Sequence, residues 1–215
     1  MIKRYLITQS LLSSWQYMFD CHEDYSEEAR ESFLAYLRRE PVEQSVEMLR
    51  GISFEDAVNG LLSGTETALE EHLKTYAKRG GMEEEAACVR KVAELVHGGT
   101  YQVTAYRDET IAGENFKLMA KCDWVKAGVI YDCKRVSNYD AGKYLNSPQH
   151  PMYLAVLTGA YEFRYLVADG SEVSVEIYTR EDIEQPIHNV IEQFVTYLKA
   201  EPELWKTYSE KWLCK

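Results

Sequence analysis

The sequence predicts an α/β fold with a central mixed β-sheet of about five strands, flanked by helices and preceded by a helical N-terminal extension. Apolar residues of the first half recur at helical spacing, whereas from Tyr101 onward they alternate with polar residues as in strands. The chain has 215 residues, 46% hydrophobic and 27% charged, which is enough for one sizeable core. We therefore expect one domain, with a mostly helical part (1–98), a sheet (99–180) and C-terminal helices (181–215).

The N-terminal part divides at its capping and breaking residues. Thr8 or Ser10 would cap a first helix, whose apolar stripe includes Leu11, Leu12, Trp15, Met18 and Phe19. Pro41 suits the first turn of a helix that ends before Gly51. Helices are also predicted over 26–39, 65–79 and 82–96.

A further helix is predicted to begin near Ser53, which forms a capping-box-like pair with Asp56. Phe54 and Val58 give this helix a buried face, and Glu55 lies beside it in the first turn. An acid at this position either favours the helix dipole or serves a site, and the local pattern leaves both open.

The sheet begins with a strand at Tyr101 and continues through a hairpin. Later runs at 163–167 and 173–177 predict two more strands, and helices over 181–200 and 202–215 would cover one face. The hairpin strands start near Leu118 and at Val129, and Gly128 permits a turn with positive φ.

The hairpin brings chemistry-bearing residues together. A two-residue turn at Ala127-Gly128 places Asp123 opposite Asp132, because residues opposite each other in an antiparallel pair have a constant sum. Lys134 shares a strand face with Asp132, while Cys133 points to the other face. Two facing carboxylates repel unless a cation lies between them, and oxygen ligands suit Mg²⁺ or Mn²⁺. We therefore expect a metal site here.

An acid-x-Lys triplet alone carries no information in a chain with 35 acidic residues. The triplet becomes informative because a second acid, Asp123, lies opposite it in the predicted hairpin and an amphipathic helix beginning at Gln149 follows it. The arrangement Asp123, then Asp132-Cys133-Lys134, then Gln149 to Tyr153 resembles the PD-(D/E)XK nuclease superfamily, and within it the RecB-like exonucleases with a Q-x-x-x-Y motif. Residues 10–15, Ser-Leu-Leu-Ser-Ser-Trp, and 51–55, Gly-Ile-Ser-Phe-Glu, are similar to other parts of that family.

The resemblance implies a restriction-endonuclease-like core that hydrolyses DNA phosphodiester bonds with a divalent metal. Asp123, Asp132 and the Cys133 carbonyl would bind the ion, and Glu55 would complete the site through a water or a second ion. Lys134 would orient or deprotonate the attacking water and stabilise negative charge. Gln149 and Tyr153 would contact DNA or brace the site, and further DNA contacts are expected from Lys121, Arg135 and Lys143.

The net charge of −11 argues against a long duplex-binding face, because affinity for phosphates comes mainly from Lys and Arg. Basic residues do concentrate between Asn115 and Tyr144. This favours an exonuclease that captures DNA ends, which the resemblance also implies. The resemblance further suggests a role in phage recombination or repair beside a single-strand annealing recombinase. A catalytically silent DNA- or protein-binding scaffold and an RNA-directed nuclease remain as alternatives.

The remaining features predict a cytoplasmic protein that does not enter a membrane, since no apolar run approaches about 20 residues. The five cysteines are scattered without a C-x-x-C pair, so we expect reduced thiols and no iron-sulfur cluster. A homo-oligomer is compatible with the sequence.

Overall fold

A computed structural model describes residues 3–77 and 81–214. Its strands are β1 (Tyr5–Thr8), β2 (Thr100–Ile111), β3 (Glu114–Lys126), β4 (Val129–Arg135), β5 (Glu162–Ala168) and β6 (Val173–Thr179). Its helices are α1 (Gln9–Asp20), α2 (Ser26–Leu37), α3 (Val46–Leu62), α4 (Thr67–Tyr76), α5 (Met82–Val96), α6 (Gln149–Val156), α7 (Ile187–Ala200) and α8 (Pro202–Lys211). No helix in the described ranges is long and apolar enough to cross a membrane.

The six strands form one mixed sheet, which confirms the predicted α/β class. β3 pairs antiparallel with β2 along most of its length, parallel with β1 through Phe116 to Met119, and antiparallel with β4 through Trp124 to Lys126. Beyond β4 the sheet continues with β5, parallel, and β6, antiparallel.

An opening in the sheet follows from these pairings. Because β2 occupies one edge of β3, β1 and β4 must share its other edge. On that shared edge, the segment 120–123 pairs with neither strand. β1 and β4 therefore leave a gap beside residues 120–123 of β3. Asp123 lies in this gap, where β3 has no hydrogen-bonded neighbour on that edge.

Helices cover both faces of the sheet. One core contains residues of α1, α2, α6, α7 and α8 packed against strand residues such as Phe116, Ile130 and Phe163. The other contains residues of α3, α4 and α5 packed against Trp124 and Leu166. Along β5 the side chains alternate between the two cores, with Phe163 in the first and Leu166 in the second, so the cores lie on opposite faces of the sheet.

Several predicted elements differ from the structure. β1 was not predicted, since it is only four residues long and runs directly into α1. The helices expected at 41–50 and from Ser53 are one helix, α3, which Ser45 caps by accepting a hydrogen bond from the Met48 N–H at 3.2 Å. α7 begins at Ile187 rather than 181, immediately after Pro186. The predicted helix 65–79 is observed over Thr67–Tyr76, and residues 78–80 lie outside the described ranges.

Candidate active site

The hairpin has the predicted register. Trp124 pairs with Tyr131 and Lys126 with Val129, so Ala127 and Gly128 form a two-residue turn. Both turn residues have positive φ, 49° and 81°, as a type I′ turn requires. The turn thereby brings Asp123 and Asp132 to the same end of the strand pair.

Asp132 is buried and contacts two side chains. Gln149 Nε2 donates a hydrogen bond to its Oδ1, and Lys134 Nζ lies 2.7 Å from its Oδ2. The Lys134 side chain retains 31% exposure, so the ammonium reaches the surface of the site while its partner is enclosed. Gln149 and Lys134 together fix the orientation of the Asp132 carboxylate.

Asp123 lies where β3 and β4 part. Its Oδ2 accepts a hydrogen bond from the Cys133 backbone N–H at 2.8 Å. This bond links the strands beyond the last backbone pair, Trp124 with Tyr131, and keeps Asp123 close to the Asp132-Cys133-Lys134 segment.

Glu55 reaches the same region from the middle of α3. Burial and the negative charge of Asp132 raise the pKa of Glu55 to about 7. Burial, Asp132 and Glu55 likewise raise the pKa of Asp123 well above its ordinary value. Because α3 begins at Val46, the dipole of a helix N-terminus does not explain Glu55. Three carboxyl groups therefore interact here.

Lys134 supplies positive charge to this cluster. Burial lowers its pKa, but the adjacent Asp132 carboxylate, with a contribution from Asp123, outweighs burial and raises the pKa above its ordinary value. The ammonium is thus protonated at neutral pH and can donate hydrogen bonds to a water or an anion.

Gln149 and Tyr153 lie one turn apart on α6, and both are buried. The Tyr153 hydroxyl donates a hydrogen bond to the Lys121 carbonyl at 2.8 Å, while Gln149 binds Asp132. Of the two roles considered for this pair, the contacts favour bracing: one residue anchors β3 and the other orients a carboxylate on β4.

The three basic residues expected to contact DNA differ in exposure. Lys121 and Lys143 are exposed, whereas Arg135 is buried. Arg135 donates to both carboxylate oxygens of Glu85, at 2.7 and 2.6 Å. The predicted DNA contact by Arg135 is therefore wrong, because its guanidinium faces α5 on the opposite side of the strand from Lys134.

A polar network that the sequence did not predict surrounds Arg135. Glu85 also contacts His72 Nε2 at 2.9 Å, and His72 Nδ1 lies 3.0 Å from Ser53 Oγ. His72 and Glu85 are almost fully buried. Hydrogen bonding to His72 and Arg135 outweighs burial and lowers the pKa of Glu85 to about 2. No sequence signal identified these partners, because they are 13 to 50 residues apart and come from four elements.

The loop between β4 and α6 also borders the site. Glu176 Oε1 on β6 accepts hydrogen bonds from the Tyr139 hydroxyl at 2.5 Å and the Gly142 N–H at 3.0 Å. Tyr144 of this loop stacks on Tyr165, with ring centroids 4.5 Å apart, and the Tyr165 ring centroid lies 5.9 Å from Lys134 Nζ. Glu176 therefore holds the loop beside Lys134.

The donor set fits a divalent cation that completes its coordination with non-side-chain ligands. Within the described ranges, no three His, Cys, Asp or Glu side chains are placed to hold a metal ion by themselves. Asp123 and Asp132 would thus need water, phosphate or the Cys133 carbonyl as further ligands. Asp132 Oδ2 is buried and, apart from its ionic contact with Lys134, accepts no hydrogen bond. The excess of carboxyl groups over cations also favours a bound cation.

The five cysteines are free thiols. Cys88, Cys122 and Cys133 are buried, and Cys21 and Cys214 are half-buried. Burial raises the pKa of the Cys122 thiol to about 12, and nearby Asp123 adds to this shift, so this thiol is protonated and unreactive.

No protein-family model matches the chain, and a comparison with curated proteins found no match. A solved structure described as "Crystal structure of SSO0001" aligns with a TM-score of 0.47 and 10% sequence identity, over 96% of this chain and 82% of that one. A likeness at this level carries no functional argument, so the function must be inferred from the site itself.

Proposed function

We propose that this protein is a metal-dependent nuclease that hydrolyses DNA phosphodiester bonds. The observation that carries the proposal is the convergence of Glu55, Asp123 and Asp132 with Lys134 at the opening between β1 and β4. Three interacting carboxyl groups beside a single lysine are unusual in a purely structural ion pair, because their mutual repulsion lowers the stability of the fold. Such clusters are typical of functional sites.

Each side chain has a distinct role in the proposal. Asp123 and Asp132 would hold a Mg²⁺ or Mn²⁺ ion, with Glu55 acting through a water. A divalent ion bound there would lower the pKa of a coordinated water and neutralise charge on the scissile phosphate. Lys134 would orient the attacking water and stabilise charge that develops on the phosphate oxygens.

The proposed substrate is DNA presented as an end. Lys121 and Lys143 are exposed and can contact a phosphate backbone locally, whereas the net charge of −11 disfavours an extended duplex interface. An exonuclease needs only a local site, which supports this choice over an endonuclease. A single-strand annealing recombinase as partner belongs to the same proposal through resemblance, as does a cytoplasmic location.

The test is incubation of the purified protein with end-labelled linear duplex, single-stranded DNA and RNA, with Mg²⁺ or with EDTA. We expect Mg²⁺-dependent cleavage of DNA, and Asp132→Asn protein purified in parallel should be inactive. Equal activity of wild type and variant would indicate a contaminant. DNA binding without cleavage would support a scaffold, and cleavage of RNA alone would support the RNA-directed alternative. Each of these results contradicts the proposal.

A further inference from the structure

A cleft of about 640 Å³ lies beside the candidate active site. Its walls come from α1, the end of the loop before α6, and the segment leading into α7. Phe19 and Leu145 contribute large apolar side chains that remain 60% and 46% exposed. Neutral amides also line it: Gln16, Asn146, Gln185 and Gln193.

The charges around the cleft narrow the class of ligand. Its lining contains Asp20 and Glu184 but neither lysine nor arginine. Burial lowers the pKa of His150, which also lines the cleft, to about 4, so this ring adds no positive charge at neutral pH. A phosphate group would be repelled here, whereas a neutral planar group with hydrogen-bonding edges would not.

The cleft is joined to the candidate site by one short segment. The segment 145–148 forms part of its wall and is followed directly by Gln149, whose amide donates to Asp132. On the other side of the segment, Tyr144 stacks on Tyr165 near Lys134. The segment 144–149 therefore borders both the cleft and the candidate site.

We propose that this cleft binds an unpaired nucleobase of the strand being processed, an inference that rests on the proposed nuclease function. Phe19, held edge-on against Trp15 with centroids 5.7 Å apart, offers an exposed face for stacking. Side-chain amides around it can pair with a base edge through both donors and acceptors. Stacking on an aromatic ring tolerates every base, so the cleft favours single-stranded ends of any sequence.

The proposal is tested by equilibrium binding of labelled single-stranded oligonucleotides in EDTA, where no cleavage is required. An abasic position is moved along the oligonucleotide one nucleotide at a time. We expect one or two abasic positions to weaken wild-type binding about tenfold, from the loss of one stacked base. Phe19→Ala should weaken binding of the intact oligonucleotide by a similar factor, and its binding should no longer depend on where the abasic position lies.

Tyr25→Ala is the matched control, because Tyr25 is a similarly exposed aromatic residue that does not line the cleft. Leu145→Ala serves as a second variant, and melting temperatures establish that all variants are folded. Equal binding by the Phe19 and Tyr25 variants, or uniform effects of abasic positions, would overturn the inference. Binding of a lysine-rich peptide is measured in parallel. If Phe19→Ala loses binding to the peptide but not to the oligonucleotide, the acidic cleft binds a basic protein partner instead.

The same measurements separate this inference from the proposed function. If abasic positions weaken binding in a position-dependent way but the protein cleaves no DNA, the base-binding cleft is supported and the nuclease function is contradicted. If the protein cleaves DNA with Mg²⁺ but abasic positions have no position-dependent effect on binding, the nuclease function is supported and the base-binding cleft is contradicted.

Discussion

Glu55 links the electrostatics of the site to protein stability. Its pKa of about 7 lies above the ordinary 4.5, so the folded protein binds this proton more tightly than the unfolded chain does. Ionising Glu55 therefore costs no stability below pH 4.5, costs progressively more between pH 4.5 and 7, and reaches its full cost above pH 7. In EDTA we expect Glu55→Gln to be more stable than wild type at pH 8, with the difference shrinking towards pH 5.

Thermal melts of both proteins across this range provide the measurement. The difference between them cancels other titrating groups such as His150, whose lowered pKa destabilises the fold as pH falls below 6.5. If the melting temperatures of the two proteins differed by the same amount at every pH, the pKa of Glu55 would not be raised in the folded protein.

Lys134 is expected to affect turnover rather than metal binding. Its ammonium contacts Asp132 and is partly exposed, so Lys134→Met should leave affinity for Mn²⁺ undiminished while reducing single-turnover cleavage by about 10²- to 10⁴-fold. Calorimetric titration with Mn²⁺ and single-turnover kinetics measure the two effects separately. Lys206→Met, at an exposed lysine of α8 outside the proposed site, is the control for charge, and wild-type rates for Lys134→Met would remove Lys134 from the mechanism.

Two variants of Asp132 separate the effect of losing its charge from the effect of losing its hydrogen bond. Asp132→Asn keeps a side-chain carbonyl for Gln149 and removes the charge, so we expect inactive protein with a melting temperature near that of wild type. Lys134 loses its acceptor in both variants, and Asp132→Ala also leaves the Gln149 amide without its acceptor, which should cost a further ~1–3 kcal/mol. Urea denaturation compares the two variants, and equal stability would show that the Gln149 hydrogen bond contributes nothing to the stability of the fold.

At the scale of elements, the Ser53–His72–Glu85–Arg135 network joins α3, α4 and α5 to β4. Glu85→Ala would leave the buried Arg135 guanidinium uncompensated, which typically costs about 3–5 kcal/mol. Glu83→Ala, in the same turn of α5 but exposed, should have little effect. Urea denaturation tests both.

A double variant extends this test. Glu85→Leu with Arg135→Met removes both charges, and we expect it to recover most of the stability lost by Glu85→Ala. Because Ser53 lies two residues from Glu55 and Arg135 follows Lys134, Glu85→Ala should also lower activity at temperatures where it remains folded. Full activity there would show that the network stabilises the fold without positioning the site.

At the scale of the whole molecule, the charge distribution bears on how the proposed nuclease would bind DNA. The net charge of −11 and a few exposed lysines near the site favour capture of an end over binding along a duplex. We expect linear duplex to be degraded much faster than covalently closed circular DNA at matched salt. Efficient cleavage of the closed circle would instead establish an endonuclease.

The sequence by itself determined the features that depend on neighbouring residues. The Ala127-Gly128 turn fixes the hairpin register, so Asp123, Asp132 and Lys134 could be grouped correctly before any tertiary contact was known. Of the two predicted caps, Thr8 and Ser10, Thr8 caps α1 by accepting a hydrogen bond from the Leu11 N–H, and α5 spans the predicted 82–96. Turn type, capping and strand alternation are local, since each depends on residues within a few positions.

Tertiary structure decided what depends on partners far along the chain. β1 becomes a strand because β3 supplies its hydrogen bonds, more than 100 residues away, and four residues are too few to signal it alone. Arg135 follows Lys134 in the sequence but pairs with Glu85 of α5, 50 residues away, and the burial of its charge requires that partner. The cleft between α1 and α7 likewise exists only after packing, because its residues span 15–193 and share no local pattern.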